Sequence, residues 1–159
     1  MPLLNFVPDN GARFIAEVEK HSAVAVWAPP EGGLEGNYLR RLRGVGYRTL
    51  VLTARGLGDL ERYLVEAHGV RPAHLGKKDK RVYALPPELS LHLDTLPNDA
   101  KGLVLWLIEG KVLSLQELDY LVKLPTVVPK LKVVVELGSD YGMRWQALAE
   151  AVSKMAAGG

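Results

Sequence analysis

The chain holds 159 residues, 48% of them hydrophobic and 24% charged, with a formal net charge of +2 and no cysteine. That composition argues against intrinsic disorder, excludes disulfides, and leaves no thiolates for a conventional iron–sulfur cluster or a closed cysteine zinc site. The longest apolar run, Leu103 to Ile108, is too short to span a bilayer, and Met1 to Asn10 lacks the cationic and apolar regions of a secretory signal.

One hydrophobic core suffices at this length, so residues 1–159 are expected to form a single domain, with a frayed end over 156–159. Gly11 to Lys20 places Phe14, Ile15 and Val18 on one stripe and reads as a short amphipathic helix. Ala23 to Ala28 is a continuous apolar run of strand length, stopped by Pro29 and Pro30, which cannot extend a ladder. Glu35 to Val45 is helical, with Tyr38, Leu39, Leu42 and Val45 inward, the arginines mostly opposite, and Gly44 and Gly46 ending it. Tyr47 to Thr53 follows as a strand, then Leu57 to Ala67 as a helix with Leu57, Leu60, Leu64 and Val65 inward.

His68 to Arg81 has no period and collects Lys and Arg, as an exposed loop does. A short strand over Val82 to Leu85 and a short helix over Glu88 to Leu96, closed by Pro97, come next. Gly102 to Ile108 is apolar almost throughout, the mark of a strand covered on both faces. Ser114 caps a helix with Glu117 as its box partner, with Leu115, Leu118, Leu121 and Val122 inward and Leu124-Pro125 as its end. Leu131 to Glu136 is a further buried strand, Gly138 to Gly142 a turn, and Arg144 to Met155 a terminal helix with Trp145, Leu148 and Val152 on one side. Strands alternating with helices predict an α/β fold: a single-layer, mostly parallel sheet of about four to five strands with helices on both faces.

Charge is unevenly spread. Between Tyr38 and Arg81 eleven Lys and Arg stand against four Asp and Glu, a local net charge of +7, so the rest of the chain carries −5. Such a block can be a plain solvated face, or it can suit an acidic protein surface or nucleic acid. A phosphate cradle is a third candidate, because apolar runs twice end in glycines before a helix. That pattern is weak here: Glu61 stands where the third glycine of a dinucleotide fingerprint belongs after Gly56 and Gly58, and no P-loop lysine motif occurs. The four histidines, His21, His68, His74 and His92, lack the spacing of a helical metal pair, and no nucleophile elbow surrounds Ser139. No recognisable nucleic-acid module is present. Arginine is enriched at protein interfaces, where its planar fork pairs with carboxylates, which favours a protein partner. The candidate interface is Arg40, Arg41, Arg43, Arg55, His68, Arg71, His74, Lys77 and Lys78.

The stretch from Trp27 to Tyr38 with Arg40-Arg41-Leu42-Arg43, then Ala54 to Asp59, His68 to Pro72 and His74 to Lys78, resembles subunit N of the cyanobacterial and chloroplast NAD(P)H–plastoquinone oxidoreductase, the photosynthetic complex I. Lys101 to Gly110, Lys132 to Glu136 and Arg144-Trp145 extend that resemblance over nearly the whole chain after the first dozen residues. It implies an accessory subunit of the hydrophilic arm, peripheral to the thylakoid membrane on the cytoplasmic (stromal-equivalent) side, in a complex that reduces plastoquinone and pumps protons. The same resemblance implies roles in cyclic and respiratory electron flow and CO2 uptake, with no cofactor in this chain. Iron–sulfur clusters and plastoquinone would belong to partner subunits, ferredoxin would dock nearby, and membrane contact would come only through the complex. A Rossmann-like nucleotide-binding enzyme or sensor is the competing expectation.

Overall fold

A computed structural model describes residues 10–29, 34–54 and 87–158. In chain order these form α1 (Asn10–His21), β1 (Ala23–Ala28), α2 (Leu34–Gly44), β2 (Tyr47–Thr53), α3 (Pro87–Asp94), β3 (Gly102–Ile108), a single 3-10 turn (Gly110–Val112), α4 (Leu115–Val127), β4 (Leu131–Ser139), β5 (Arg144–Ala147) and α5 (Leu148–Gly158). The expected helix Leu57–Ala67, the loop His68–Arg81 and the strand Val82–Leu85 lie outside the described residues.

The five strands form one sheet in the order β2-β3-β4-β1-β5. β2, β3, β4 and β1 run parallel and β5 is antiparallel to β1. This is the expected α/β architecture, with helices on both faces. Each uninterrupted apolar run resolves into two alternating sets, as the two-residue period of a strand requires. Ala23, Ala25, Leu103, Leu105, Leu107, Leu131, Val133 and Val135 meet Leu118, Leu121 and Leu124 of α4 and Leu148 and Ala151 of α5. Val24, Val26, Val104, Trp106 and Val134 meet Phe14, Ile15 and Val18 of α1 and Tyr38 and Leu42 of α2 on the other face.

The second layer is knitted by aromatic rings. Phe14 lies 5.1 Å from Tyr38, 5.3 Å from Trp145 and 5.8 Å from Trp106, centroid to centroid, mostly edge-on. Each such pair contributes about 0.5–1.5 kcal/mol beyond its buried area, and together they fix α2 against the sheet.

Several local expectations are corrected. Arg144 opens a strand rather than the last helix, because Trp145 pairs opposite Val26 and joins the aromatic layer. Leu148 and Ala151 pack on the opposite face, and one helical stripe could not serve both layers. β4 continues to Ser139 because, after a register shift, Gly138 and Ser139 pair with Trp27 and Ala28. The chain then crosses the end of β1, where Asp140 N–H donates to the Ala28 carbonyl at 3.2 Å. α4 runs through Pro125 to Val127, the hydrogen bond from Val128 N–H to the Leu124 carbonyl closing its last turn. Leu115 and Val45 are exposed: Leu115 sits in the first turn of α4, where Tyr120 and Leu124 further along take the buried positions, and Val45 lies in the turn after α2.

The capping box at α4 forms as expected. Glu117 N–H donates to Ser114 Oγ at 3.1 Å and Ser114 N–H to Glu117 Oε1 at 2.8 Å. Ser114→Ala is expected to lower stability by about 1 kcal/mol. An unchanged denaturation midpoint would show that the helix draws nothing from this cap.

Candidate functional site

α2 carries most of the described part of the basic block. Tyr38 and Leu42 face the core and are 6% and 0% exposed, so residues offset by half a turn must face outward. Arg40, Arg41 and Arg43 are all exposed, but they do not point one way. Arg40 Nη2 donates to Asn37 Oδ1 on the outer face of α2. Arg41 leans across to α1, where a Cβ on Gly11 would lie 2.8 Å from its Cζ. Arg43, at the end of α2, donates from Nη1 to Thr49 Oγ1 of β2 at 3.1 Å. Arg55, His68, Arg71, His74, Lys77 and Lys78 lie outside the described residues.

Arg43 belongs to a cleft of about 380 Å³ lined by Gly46, Tyr47, Arg48, Pro97, Asp99 and Ala100. The cleft opens where the strands begin. Gly46 makes the turn into β2 with φ at +114°, a conformation that disfavours any side chain, and its carbonyl accepts from Lys101 N–H at 2.8 Å just before β3. The loop before β3 is thereby pinned beside the start of β2.

A charged brace backs this wall. Tyr47 Oη donates to Glu19 Oε2 at 2.8 Å, and Lys101 Nζ donates to the same oxygen at 3.2 Å. Lys101 Nζ also sits 5.7 Å from the centre of the Tyr47 ring, and Lys132 Nζ donates to Ser22 Oγ at 3.1 Å. The Tyr47 hydrogen bond, then Lys101 and Lys132, hold the Glu19 carboxyl below the usual glutamate range against a partial burial that pushes it up. Burial first, then the hydrogen bond to Glu19 and its charge, push the Tyr47 phenol above its usual range.

These shifts set two pH windows. Glu19 contributes stability above the unfolded carboxyl pKa of about 4.3, lost as pH falls through its depressed folded value. Tyr47 contributes below the unfolded phenol pKa of about 10, lost as pH rises above it. Tyr47→Phe is therefore expected to flatten both the acid and the alkaline limb of the unfolding midpoint plotted against pH. Limbs as steep as in the parent would show that the brace does not couple to folding.

Three members of this wall escaped sequence reasoning, for two different reasons. Arg48 sits within the basic block, and its exposure between Tyr47 and the half-buried Thr49 is the pattern of a charged edge strand, so a signal existed. Asp99 and Pro97 carry no such signal, because only the pairing of β2 with β3 brings them to Arg43. Among the described residues, no group of three or more His, Cys, Asp or Glu could hold a metal ion. His21 pairs with Glu17 at 3.1 Å on α1. The strand order also differs from the doubly wound nucleotide-binding order, in which the first strand is central beside the second; here β1 lies between β4 and β5.

The family model described as NADH-quinone oxidoreductase cyanobacterial subunit N matches residues 1–150. A protein named NAD(P)H-quinone oxidoreductase subunit N from Gloeobacter violaceus is 72% identical over 158 residues, covering 99% of both chains. Proteins of the same name from Thermosynechococcus vestitus and Rippkaea orientalis are 55% and 53% identical, each covering 90% of this chain and 95% of its own length.

Proposed function

Because this chain belongs to the family of NADH-quinone oxidoreductase cyanobacterial subunit N, we propose that it serves the NAD(P)H-quinone oxidoreductase complex as an accessory scaffold that carries no redox group. It holds neighbouring subunits of the hydrophilic arm in register, while iron–sulfur clusters and plastoquinone reside in those partners and ferredoxin docks nearby. The complex so assembled serves cyclic and respiratory electron flow and CO2 uptake at the thylakoid, with this subunit peripheral on the cytoplasmic face.

The observation that carries the proposal is the exposed pair Arg40 and Arg43 on a helix clamped to the sheet through Tyr38 and Leu42. Guanidinium groups held on a rigid element meet carboxylates of a partner with little ordering cost. The absence of cysteine fits a subunit without a cluster. Among the described residues no helix is long and apolar enough to cross a membrane, which fits attachment through partners.

Affinity purification of the tagged chain from membranes, with identification of the co-purifying proteins, tests this directly. Recovery of the oxidoreductase subunits in fixed proportion is expected, with retention falling as salt rises through the range that screens exposed charges. Recovery of the chain alone from gently solubilised membranes would overturn the scaffold. The isolated subunit is further expected to show no saturable binding of NADPH in equilibrium dialysis, and saturable binding would replace the scaffold with a nucleotide sensor.

A further inference from the structure

We infer that the cleft between the start of β2 and the loop before β3 is a receptor for an acidic peptide segment of a neighbouring subunit. The inference rests on the scaffold reading and gives it a place and a partner chemistry. Arg43 and Arg48 line the same cleft. Among the described residues neither forms an ion pair: Arg43 donates to the neutral hydroxyl of Thr49 at 3.1 Å, and Arg48 stands exposed on β2. Arg43 approaches the depression from the α2 side of β2, where it bonds Thr49, and Arg48 borders it from the neighbouring strand position, so two guanidinium groups without carboxylate partners flank it with ten N–H donors, of which the Thr49 bond uses one. That bond also holds the Arg43 fork in place before any ligand arrives, which lowers the ordering cost of binding.

The remaining walls select a peptide over a simple anion. Pro97 and Ala100 supply apolar lining, and Tyr47 beside them is held still by its bond to Glu19. Asp99 adds a carboxylate to the rim. Inorganic phosphate has no apolar surface to lay on Pro97 and Ala100 and no amide or cationic group to offer Asp99. A segment carrying an Asp or Glu can place its carboxylate on Arg43 or Arg48, lay an adjacent apolar side chain on Pro97 and Ala100, and donate a backbone N–H or a cationic side chain to Asp99. The volume of about 380 Å³ accommodates a few side chains rather than a folded element.

The test uses zero-length chemistry in the assembled complex. Arg48→Lys keeps the positive charge and introduces an amine that a carbodiimide couples to a carboxylate only on direct contact. In the purified complex carrying Arg48→Lys, treatment is expected to yield an amide between position 48 and an Asp or Glu of another subunit, identified by mass spectrometry and absent from the parent complex. An amide formed only with Asp99 of the same chain, or no amide, would overturn the inference. The double substitution Arg43→Gln and Arg48→Gln gives a second readout, because it removes charge from exposed positions without touching the core. Its retention in the complex should fall about tenfold at the ionic strength that half-releases the parent, and equal retention would overturn the cleft assignment. If the parent chain co-purifies with the oxidoreductase while both cleft readouts fail, the scaffold stands and the cleft does not; if the parent chain purifies alone, the scaffold itself fails.

Discussion

Replacing Arg40, Arg41 and Arg43 together by glutamate is expected to prevent the hydrophilic arm from assembling while the isolated subunit remains folded. All three side chains are exposed on α2. Reversal converts any carboxylate contact on the partner into a like-charge contact, which costs several kcal/mol at an interface. A loss of about 4 kcal/mol lowers affinity by about a thousandfold, enough to empty the site at ordinary subunit levels. The cost to folding is far smaller, since the buried face of α2 is untouched and surface changes usually shift stability by about 0.5 kcal/mol or less. Arg41 lies over Gly11 and Arg43 bonds Thr49 of β2, so both have a structural share; Arg40→Glu alone is the cleanest variant. Normal assembly of the arm with only reduced turnover would show that the basic helix acts on catalysis and not on docking.

Trp106→Ala should be the most damaging single truncation in the core. Trp106 is fully buried in β3, lies 5.8 Å from Phe14, and donates from Nε1 to Glu136 Oε2 at 2.6 Å. Truncation leaves a cavity beneath α1 and removes a hydrogen bond to a carboxylate, a combined loss of about 3–5 kcal/mol. Because domains of this size are stable by only about 5–15 kcal/mol, the variant should unfold at a markedly lower temperature or denaturant concentration. Trp106→Phe refills much of the space and loses the indole donor, so it should cost less than half as much. Equal losses for the two variants would assign the stability to the hydrogen bond and not to packing.

These two effects separate cleanly by location: Arg40 and Arg43 face outward from the same helix whose Tyr38 and Leu42 close the aromatic layer over Trp106. A helix that is firmly held on one side can present charge in a fixed arrangement on the other. The brace of Glu19, Tyr47 and Lys101 extends this rigidity to the strand starts, where the cleft lies.

The amino-acid sequence by itself determined the elements whose signals are local. The strands Tyr47–Thr53 and Gly102–Ile108 coincide with the spans expected of them, and the Ser114–Glu117 box marks the start of α4, because each depends on neighbours within a few residues. It also showed the basic character of α2, since helical period places arginines opposite Tyr38 and Leu42. Tertiary structure alone decided the rest. A continuous apolar strand carries no mark of which residue faces which layer, nor of which strand lies beside it, so the order β2-β3-β4-β1-β5 was not legible. The strand at Arg144–Ala147 exists because β1 offers a free edge and the aromatic layer a place for Trp145, neither of which is a local property. The cleft likewise exists only because β2 and β3 pair, bringing Asp99 and Pro97 to Arg43 and Arg48 across a long separation in sequence. Local chemistry chose the helices and strands, and long-range pairing chose which charges would meet.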